Sequence, residues 1–338
     1  MPVAKPLSLT VRIEPVRLKT PFRITGHVME AVNLVVCTLQ RGDYRGRGEA
    51  TGVYYHAETG ESMAGQIEAV RGQIEAGITR EALQDLLPPG GARNAVDCAL
   101  WDLEASEAGE PVWKLAGLSA PSPLLTTFTL GADSPEAMGA KAAGLTYAKA
   151  LKLKLIGDGL DAERVRAVRA AAPEVWIGVD ANQAFDRAGT EALLPCLIEE
   201  KVSLLEQPCR IGADDSLIGL NSPIPLAADE SAQTSADIAR LAPIYDIINI
   251  KLDKSGGLTE GLKMAHLVRE HGLGVMVGNM VGTSLSCGPA AVVGQLCDVV
   301  DLDGPWHLSA DRDPPARYED GHLVCPPEGW GLPERKAA

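Results

Sequence analysis

The hydrophobic pattern changes period twice along the chain. Residues 7–13 (LSLTVRI) alternate apolar and polar positions, residues 31–39 (AVNLVVCTL) follow after a gap, and both read as strands of an antiparallel sheet. The intervening 21–30 is rich in Pro, Gly and Thr and long for a hairpin, so it reads as a functional loop, and RGDYRGRGEA (41–50) reads as a source of turn glycines. From 62 to 103 the spacing turns helical, with Ala95, Cys98, Ala99 and Leu103 on the buried face of the last helix. Asp97 and Asp102 lie off that stripe and read as structural. Pro121 and Pro123 mark a boundary near residue 119. Beyond it come eight short apolar runs, at 124–130, 149–155, 175–181, 202–206, 224–229, 246–252, 273–279 and 298–303, separated by helical intervals such as 135–144 and 160–171. Strand and helix in regular alternation predict a closed parallel sheet, an α/β barrel.

The ends of these runs carry charge. Lys154, Asp180, Glu206, Asp229 and Lys251 stand 26, 26, 23 and 22 residues apart, about the length of one strand, one helix and two turns. A barrel closes on itself, so strand ends converge on one mouth. Asp180, Glu206 and Asp229 then offer three hard oxygen ligands and leave half of an octahedral Mg2+ shell for substrate and water. Asn182 and Glu230 read as hydrogen-bonding support for those ligands. Lys154 and Lys251 come from the second and sixth strands, on opposite sides of the metal, and can flank the α-carbon of a metal-bound carboxylate. A lysine base must be neutral, and the expectation is that neighbouring cations lower its pKa. Period-two alternation puts Lys152 on the same face as Lys154 and Asp301 on the same face as Asp303. Two acids with no third ligand beside them suit an ammonium group. Thr127 and Thr129, at the end of the first strand, can offer hydroxyls to a substrate. Gly256-Gly257 follows a strand but lacks the GxGxxG spacing of a dinucleotide site.

Taken together, KLK (152–154), DAN (180–182), EQP (206–208), DES (229–231), NIKLDKSGG (249–257) and DLDGP (301–305), with KTPFRITG (19–26) and ARNAVDCALWDL (92–103), resemble the enolase superfamily. Within it they resemble the muconate-lactonizing branch and its dipeptide epimerases. The resemblance implies an α+β capping domain at 1–118, a modified TIM barrel of (β/α)7β form at 119–304, and a C-terminal segment at 305–338 that returns to the cap. It also implies one Mg2+ per subunit on Asp180, Glu206 and Asp229, with Lys154 and Lys251 as two opposed bases. Lys152 would lie near the substrate carboxylate, Lys254 would be structural, Thr127 would touch substrate, and Asp301 and Asp303 would hold the free α-amine of a dipeptide. The expected reaction is 1,1-proton transfer at the α-carbon of the C-terminal residue.

The loop expected to cover the mouth departs from the pattern of L-Ala-D/L-Glu epimerases. After Ile24 and Thr25, the residues Gly26, His27, Val28 and Met29 stand where those enzymes carry a glutamate-reading arginine, and Arg23 falls too early. Apolar or small C-terminal residues are therefore expected to do at least as well as glutamate, unless Arg23, Arg45 or Arg47 reaches in from elsewhere. Tyr54, Tyr55 and His56 are expected over the same mouth. A muconate cycloisomerase-like or o-succinylbenzoate synthase-like enzyme shares the metal and lysines but has no need of Asp301 and Asp303. A Schiff-base aldolase would not need the carboxylates, and a mere binding protein would not need opposed lysines.

Composition narrows the partners. A formal net charge of −14 argues against nucleic acid and anionic membranes. No apolar run approaches the roughly 20 residues of a membrane span, and residue 1 onward shows no basic and apolar leader. Seven scattered cysteines without a CxxC suit free thiols in a reducing compartment, so the protein reads as cytoplasmic, acting on a small dipeptide, with a homo-oligomer possible.

Overall fold

The computed structural model describes residues 6–333. Strands β1 (Leu7–Ile24), β2 (His27–Arg41) and β3 (Tyr44–Ala50) form an antiparallel sheet in the order β1-β2-β3. The segment 21–30, expected as an irregular loop, is instead the tip of a long hairpin. Ile24 pairs with His27 across Thr25-Gly26, and Phe22 pairs with Met29. Local composition misleads here because Pro21 falls within a register shift between Arg17 and Phe22, where no ladder N–H is required of it. Gly26 supplies the positive φ of +69° that the tight turn needs.

The glycines of 41–50 divide in the same way. Gly42 lies in the turn, whereas Gly46 and Gly48 are strand residues pressed against the helix Gly91–Ala108. A Cβ on Gly48 would lie 2.1 Å from the Ala95 carbonyl oxygen, and one on Gly46 would lie 2.2 Å from that of Ala99. That helix is buried along nearly its whole length between sheet and barrel. Its two off-stripe acids are structural, as expected. Asp97 accepts hydrogen bonds from the Thr259 N–H (2.9 Å) and hydroxyl (2.7 Å), and Asp102 accepts from the N–H groups of Arg47 (2.8 Å) and Gly331 (2.7 Å).

All eight expected barrel strands form, with one difference. The run 124–130 splits into β4 (Leu124–Leu125) and β5 (Phe128–Leu130), and only β5 joins the barrel. It is followed by β6 (Ala150–Lys154), β7 (Trp176–Asp180), β8 (Leu204–Glu206), β9 (Leu226–Ala228), β10 (Ile247–Lys251), β11 (Gly274–Gly278) and β12 (Val299–Asp301), each parallel to the last. The Thr127 N–H donates to the Val300 carbonyl at 3.0 Å and brings the two edges of the sheet together. Inside the barrel, Trp176, Leu204, Ala227, Ile247, Met276 and Val299 form an apolar floor. Two residues beyond this floor come Glu206, Asp229, Asn249 and Asp301, and on β7 Asp180 follows four residues after Trp176, which places the charge at the C-terminal mouth.

The C-terminal segment touches the cap. Arg312 pairs with Glu14 and Glu49 at 2.6 Å each, Ser309 N–H donates to Arg17, and the Trp330 indole donates to the Arg47 carbonyl. Of its own strands, β13 (Tyr318–Glu319) pairs with β14 (His322–Leu323) and β14 with β4, instead of extending the cap sheet. Among the described residues no helix is long and apolar enough to cross a membrane. All seven cysteines are free.

Candidate active site

The strand register assembles the charged cluster. Lys154 of β6 pairs with Asp180 of β7, and Asp180 pairs with Glu206 of β8. Asp229 follows β9 and Lys251 ends β10. Carboxylate oxygens of Asp180, Glu206 and Asp229 all lie within 4.8 Å of one another, and all three residues are buried. Lys154 Nζ lies 2.6 Å from Asp180 Oδ2 on one side, and Lys251 Nζ lies 2.6 Å from Asp229 Oδ2 on the other. Lys152 sits centrally, 2.7 Å from Glu206 Oε2, 2.9 Å from Asp301 Oδ2 and 3.2 Å from Asp180 Oδ2. Lys254 is fully enclosed and donates to Asp229 Oδ1 at 2.6 Å and to the Asn249 carbonyl at 3.2 Å, a bracing role that matches its structural reading.

Burial and charge compete in setting protonation. Burial, then the charge of Asp180, pushes Glu206 up to about 8 against the pull of Lys152. Burial opposes ionisation of Asp180 too, but Lys154 and Lys152 outweigh it and hold that carboxyl to about 2. Asp229 falls well below the ordinary range, because Lys251, Lys254 and Lys152 overcome its burial. Lys251 departs from expectation. Burial would lower it, and Lys152 with it, but Asp229, Glu206 and Asp180 together outweigh both, so its ammonium form is favoured.

The donor set fits a hard divalent cation. Lys152 approaches Glu206 Oε2 without hydrogen-bond geometry, so among the described residues that buried oxygen takes no hydrogen bond; nor do Asn182 Oδ1 and Glu230 Oε2. Buried oxygens without donors are costly unless a cation or water meets them. Asn182 donates to Asp180 Oδ2 (3.3 Å) and Glu230 Oε1 (3.2 Å), the supporting role expected of both residues.

Asp301 ends β12, but Asp303, expected on the same strand, lies beyond it at the start of the turn Gly304–His307 with φ −97° and ψ 8°, so strand alternation does not place it. Thr127 Oγ1 donates to Asp301 Oδ1 at 2.5 Å, while Asp303 Oδ2 accepts from the Thr129 N–H at 2.6 Å and faces His307 Nε2 at 3.1 Å. The hairpin tip reaches the mouth as expected. Thr25 Oγ1 lies within hydrogen-bond reach of the carbonyls of Leu155 (3.1 Å) and Ala181 (3.0 Å), which directly follow β6 and β7. His27 stacks on Tyr54 with ring centroids 5.1 Å apart, and His56 meets Gln233 at 2.9 Å, so both covering segments are docked. Ile24 is buried and Met29 packs with Leu18, Val32, Leu34 and Leu308. Arg45 and Arg47 line a separate cavity with Asp102 and Trp330, and Arg23 faces a cleft beside the mouth.

Three residues escaped the sequence reading. Asn249 donates to Glu206 Oε1 at 2.9 Å, and its place two before Lys251 on one strand face was a usable signal. His307 lies four residues after Asp303, a helical spacing that also hinted at contact. Gln233 carried no signal, because its partners Tyr55 and His56 are remote in the chain.

Comparison with known proteins places this geometry. Residues 7–117 match the mandelate racemase/muconate lactonizing enzyme N-terminal domain, and residues 136–334 match the enolase C-terminal domain-like family. The chain is 38% identical over 308 residues to the L-Ala-D/L-Glu epimerase of Escherichia coli, covering 90% of this chain and 96% of that one. It is similar to the structure of an enolase family member from Agrobacterium tumefaciens with homology to dipeptide epimerases, with sodium and L-Ala-L-Glu bound. There the TM-score is 0.93 at 40% identity, over 96% of this chain and 100% of the other. It is also similar to a dipeptide epimerase from Methylococcus capsulatus complexed with Mg and L-Arg-D-Lys, with a TM-score of 0.87 at 31% identity over 95% and 97% of the two chains. The chain belongs to the mandelate racemase/muconate lactonizing enzyme family of the enolase superfamily.

Proposed function

We propose that the chain is a Mg2+-dependent dipeptide epimerase, an isomerase that inverts the α-carbon of the C-terminal residue. The observation that carries this reading is the pair of opposed lysines on either side of a carboxylate triad, with a second acid pair across the same mouth. Asp180, Glu206 and Asp229 hold the cation, which supplies positive charge to a substrate carboxylate as its α-proton leaves. Lys152 adds a second positive charge at that carboxylate. A neutral amine on one side, Lys154 or Lys251, takes the α-proton, and the ammonium on the other side returns a proton to the opposite face. A cation held by Asp180, Glu206 and Asp229 would offset the three carboxylate charges that favour the ammonium form of Lys251. Asp301 and Asp303 take the substrate ammonium, a demand that cycloisomerase and succinylbenzoate-forming chemistry does not make.

At the hairpin tip Thr25 docks on Leu155 and Ala181 and His27 stacks on Tyr54, and neither offers a guanidinium to the side chain being inverted. Small and apolar C-terminal residues are the expected substrates, with glutamate no better. The free thiols suit a reducing compartment, and we place the enzyme in the cytoplasm.

Deuterium exchange in D2O tests the scheme. Lys154→Ala should still exchange one epimer of an L-Ala-L-Xaa substrate, Lys251→Ala only the other, and neither should interconvert them. Interconversion near the wild-type rate in either variant would overturn the two-base reading.

A further inference from the structure

A cleft of about 860 Å3 opens beside the mouth, outside the metal and lysine cluster. Its walls come from the hairpin, the loops following β5 and β6, the helix Pro135–Gly144 and the turn at Trp306-His307. Two of its lining residues, Thr129 and His307, are the same residues that hold Asp303 through the Thr129 N–H and His307 Nε2. The cleft therefore begins where the acid pair ends.

Phe22, Leu130, Leu145, Leu160 and Trp306 give it apolar surface. Its charged residues are largely paired among themselves. Lys141 meets Asp133 at 2.9 Å, and Arg164 meets Asp158 at 2.6 Å. Arg23 also lines the cleft, and among the described residues its side chain takes no hydrogen bond or ion pair. Arg164 also meets Asp161 at 2.8 Å, and Arg23 lies within the electrostatic reach of Asp133, so the charges balance while the Arg23 N–H groups stay open to a ligand.

We propose that this cleft is the subsite for the side chain of the substrate's N-terminal residue, and that it admits long side chains, apolar or acid-tipped, far larger than the methyl of alanine. The inference rests on the dipeptide epimerase reading. An ammonium on Asp301 and Asp303 fixes the N-terminal α-carbon one bond away, and its side chain must leave the mouth past Thr129 and His307. The volume exceeds what any single side chain fills, so size alone sets no upper limit. Apolar stems gain by leaving water. A carboxylate at the tip can accept from the Arg23 N–H groups, whereas an ammonium finds Asp133 and Asp158 already engaged by Lys141 and Arg164.

The test is a series of L-Xaa-L-Leu dipeptides with Xaa as Ala, Leu, Phe, Glu and Lys, read by α-deuterium incorporation in D2O. The expected result is kcat/KM for Leu and Phe at or above that for Ala, with Glu ahead of Lys by tenfold or more. Arg23→Gln should bring Glu and Lys to within threefold. Gly144→Trp narrows the cleft, since Gly144 lines it and a Cβ there meets nothing within 4 Å. That variant should lose tenfold or more on Leu and Phe while L-Ala-L-Leu stays within twofold of wild type. If L-Ala-L-Leu exchanges but Leu and Phe are tenfold worse in the wild type, or if Gly144→Trp slows all substrates equally, the cleft assignment is wrong and the epimerase reading stands. If no dipeptide exchanges, both are wrong.

Discussion

Asp180 and Glu206 are register neighbours with the same chemistry and opposite displacements, about 2 and about 8. Burial disfavours both charges, and the difference is that Asp180 faces Lys154 and Lys152 ahead of any acid, whereas Glu206 faces the charge of Asp180 ahead of Lys152. Asp229 is held by two lysines, and it is the acid whose loss should unbalance the site most. Asp229→Asn should weaken Mg2+ binding by about a hundredfold and lower turnover by about 10²–10³-fold, measured by calorimetry and by epimerisation. Unchanged affinity would remove Asp229 from the ligand set. Away from the mouth, Asp97, Asp102 and Asp253 are each pushed by burial, against their hydrogen bonds, from 3.8 to about 6. Between those two values the native chain keeps a proton that the unfolded chain has released, so their contribution to stability falls as pH rises from 3.8 towards 6 and is fully lost above it. Asp102→Asn should cost about 1–2 kcal/mol at pH 7.5, because one of its two N–H partners loses its acceptor. It should also flatten the dependence of urea-unfolding stability on pH between 4 and 6. A slope as steep as wild type would show that Asp102 is not one of the titrating groups. The structural role of Asp97 and Asp102 was legible from periodicity alone, but their titration was not, since it depends on Thr259, Arg47 and Gly331, which are distant in the chain.

Among the elements, the β1–β2 hairpin and the helix Gly91–Ala108 connect cap and barrel by different means. The hairpin makes a polar contact at its tip. Thr25→Val keeps the shape but removes the donor facing Leu155 and Ala181, and a lost hydrogen bond of about 1 kcal/mol should lower kcat/KM by roughly fivefold, mostly through KM. Faster amide exchange across 22–29 should accompany it, and unchanged kinetics would mean that the tip does not seat the substrate. The helix relies on close approach. Gly48→Ala would put a Cβ 2.1 Å from the Ala95 carbonyl oxygen, and overpacking of that kind costs about 1–3 kcal/mol or more, visible as a lower thermal midpoint. An unchanged midpoint would mean that strand and helix can separate freely. The local pattern of 21–30 pointed to a loop because propensity weighs Pro and Gly one at a time, whereas pairing of Phe22 with Met29 and docking on the barrel decide the outcome.

At the scale of the molecule, the mouth is a store of like charge. Three buried carboxylates lie within 4.8 Å, offset by Lys152, Lys154, Lys251 and Lys254, and among the described residues Glu206 Oε2 takes no hydrogen bond. A cation that binds only the folded chain stabilises it by about 2.7 kcal/mol at a hundredfold excess over Kd. Adding excess chelator should therefore lower the thermal midpoint by several degrees as well as stop turnover, and restoring Mg2+ should reverse both. A midpoint indifferent to chelator would argue against a metal held by the folded mouth.

The strand–helix alternation, the charged strand ends and their even spacing were determined by the sequence, because a barrel's geometry follows from periodicity and closure. So was the face shared by Lys152 with Lys154, since a strand alternates sides at every residue, whereas Asp303 lies past the end of its strand and is placed by the turn that follows. Tertiary structure decided the rest. It split 124–130 so that β4 pairs with the tail, turned 21–30 into a hairpin, placed His307 and Gln233 beside the site, and aimed Arg23 into the side cleft while Arg45 and Arg47 went elsewhere. Each of these depends on contacts between residues far apart in the chain, whose energies no local pattern encodes.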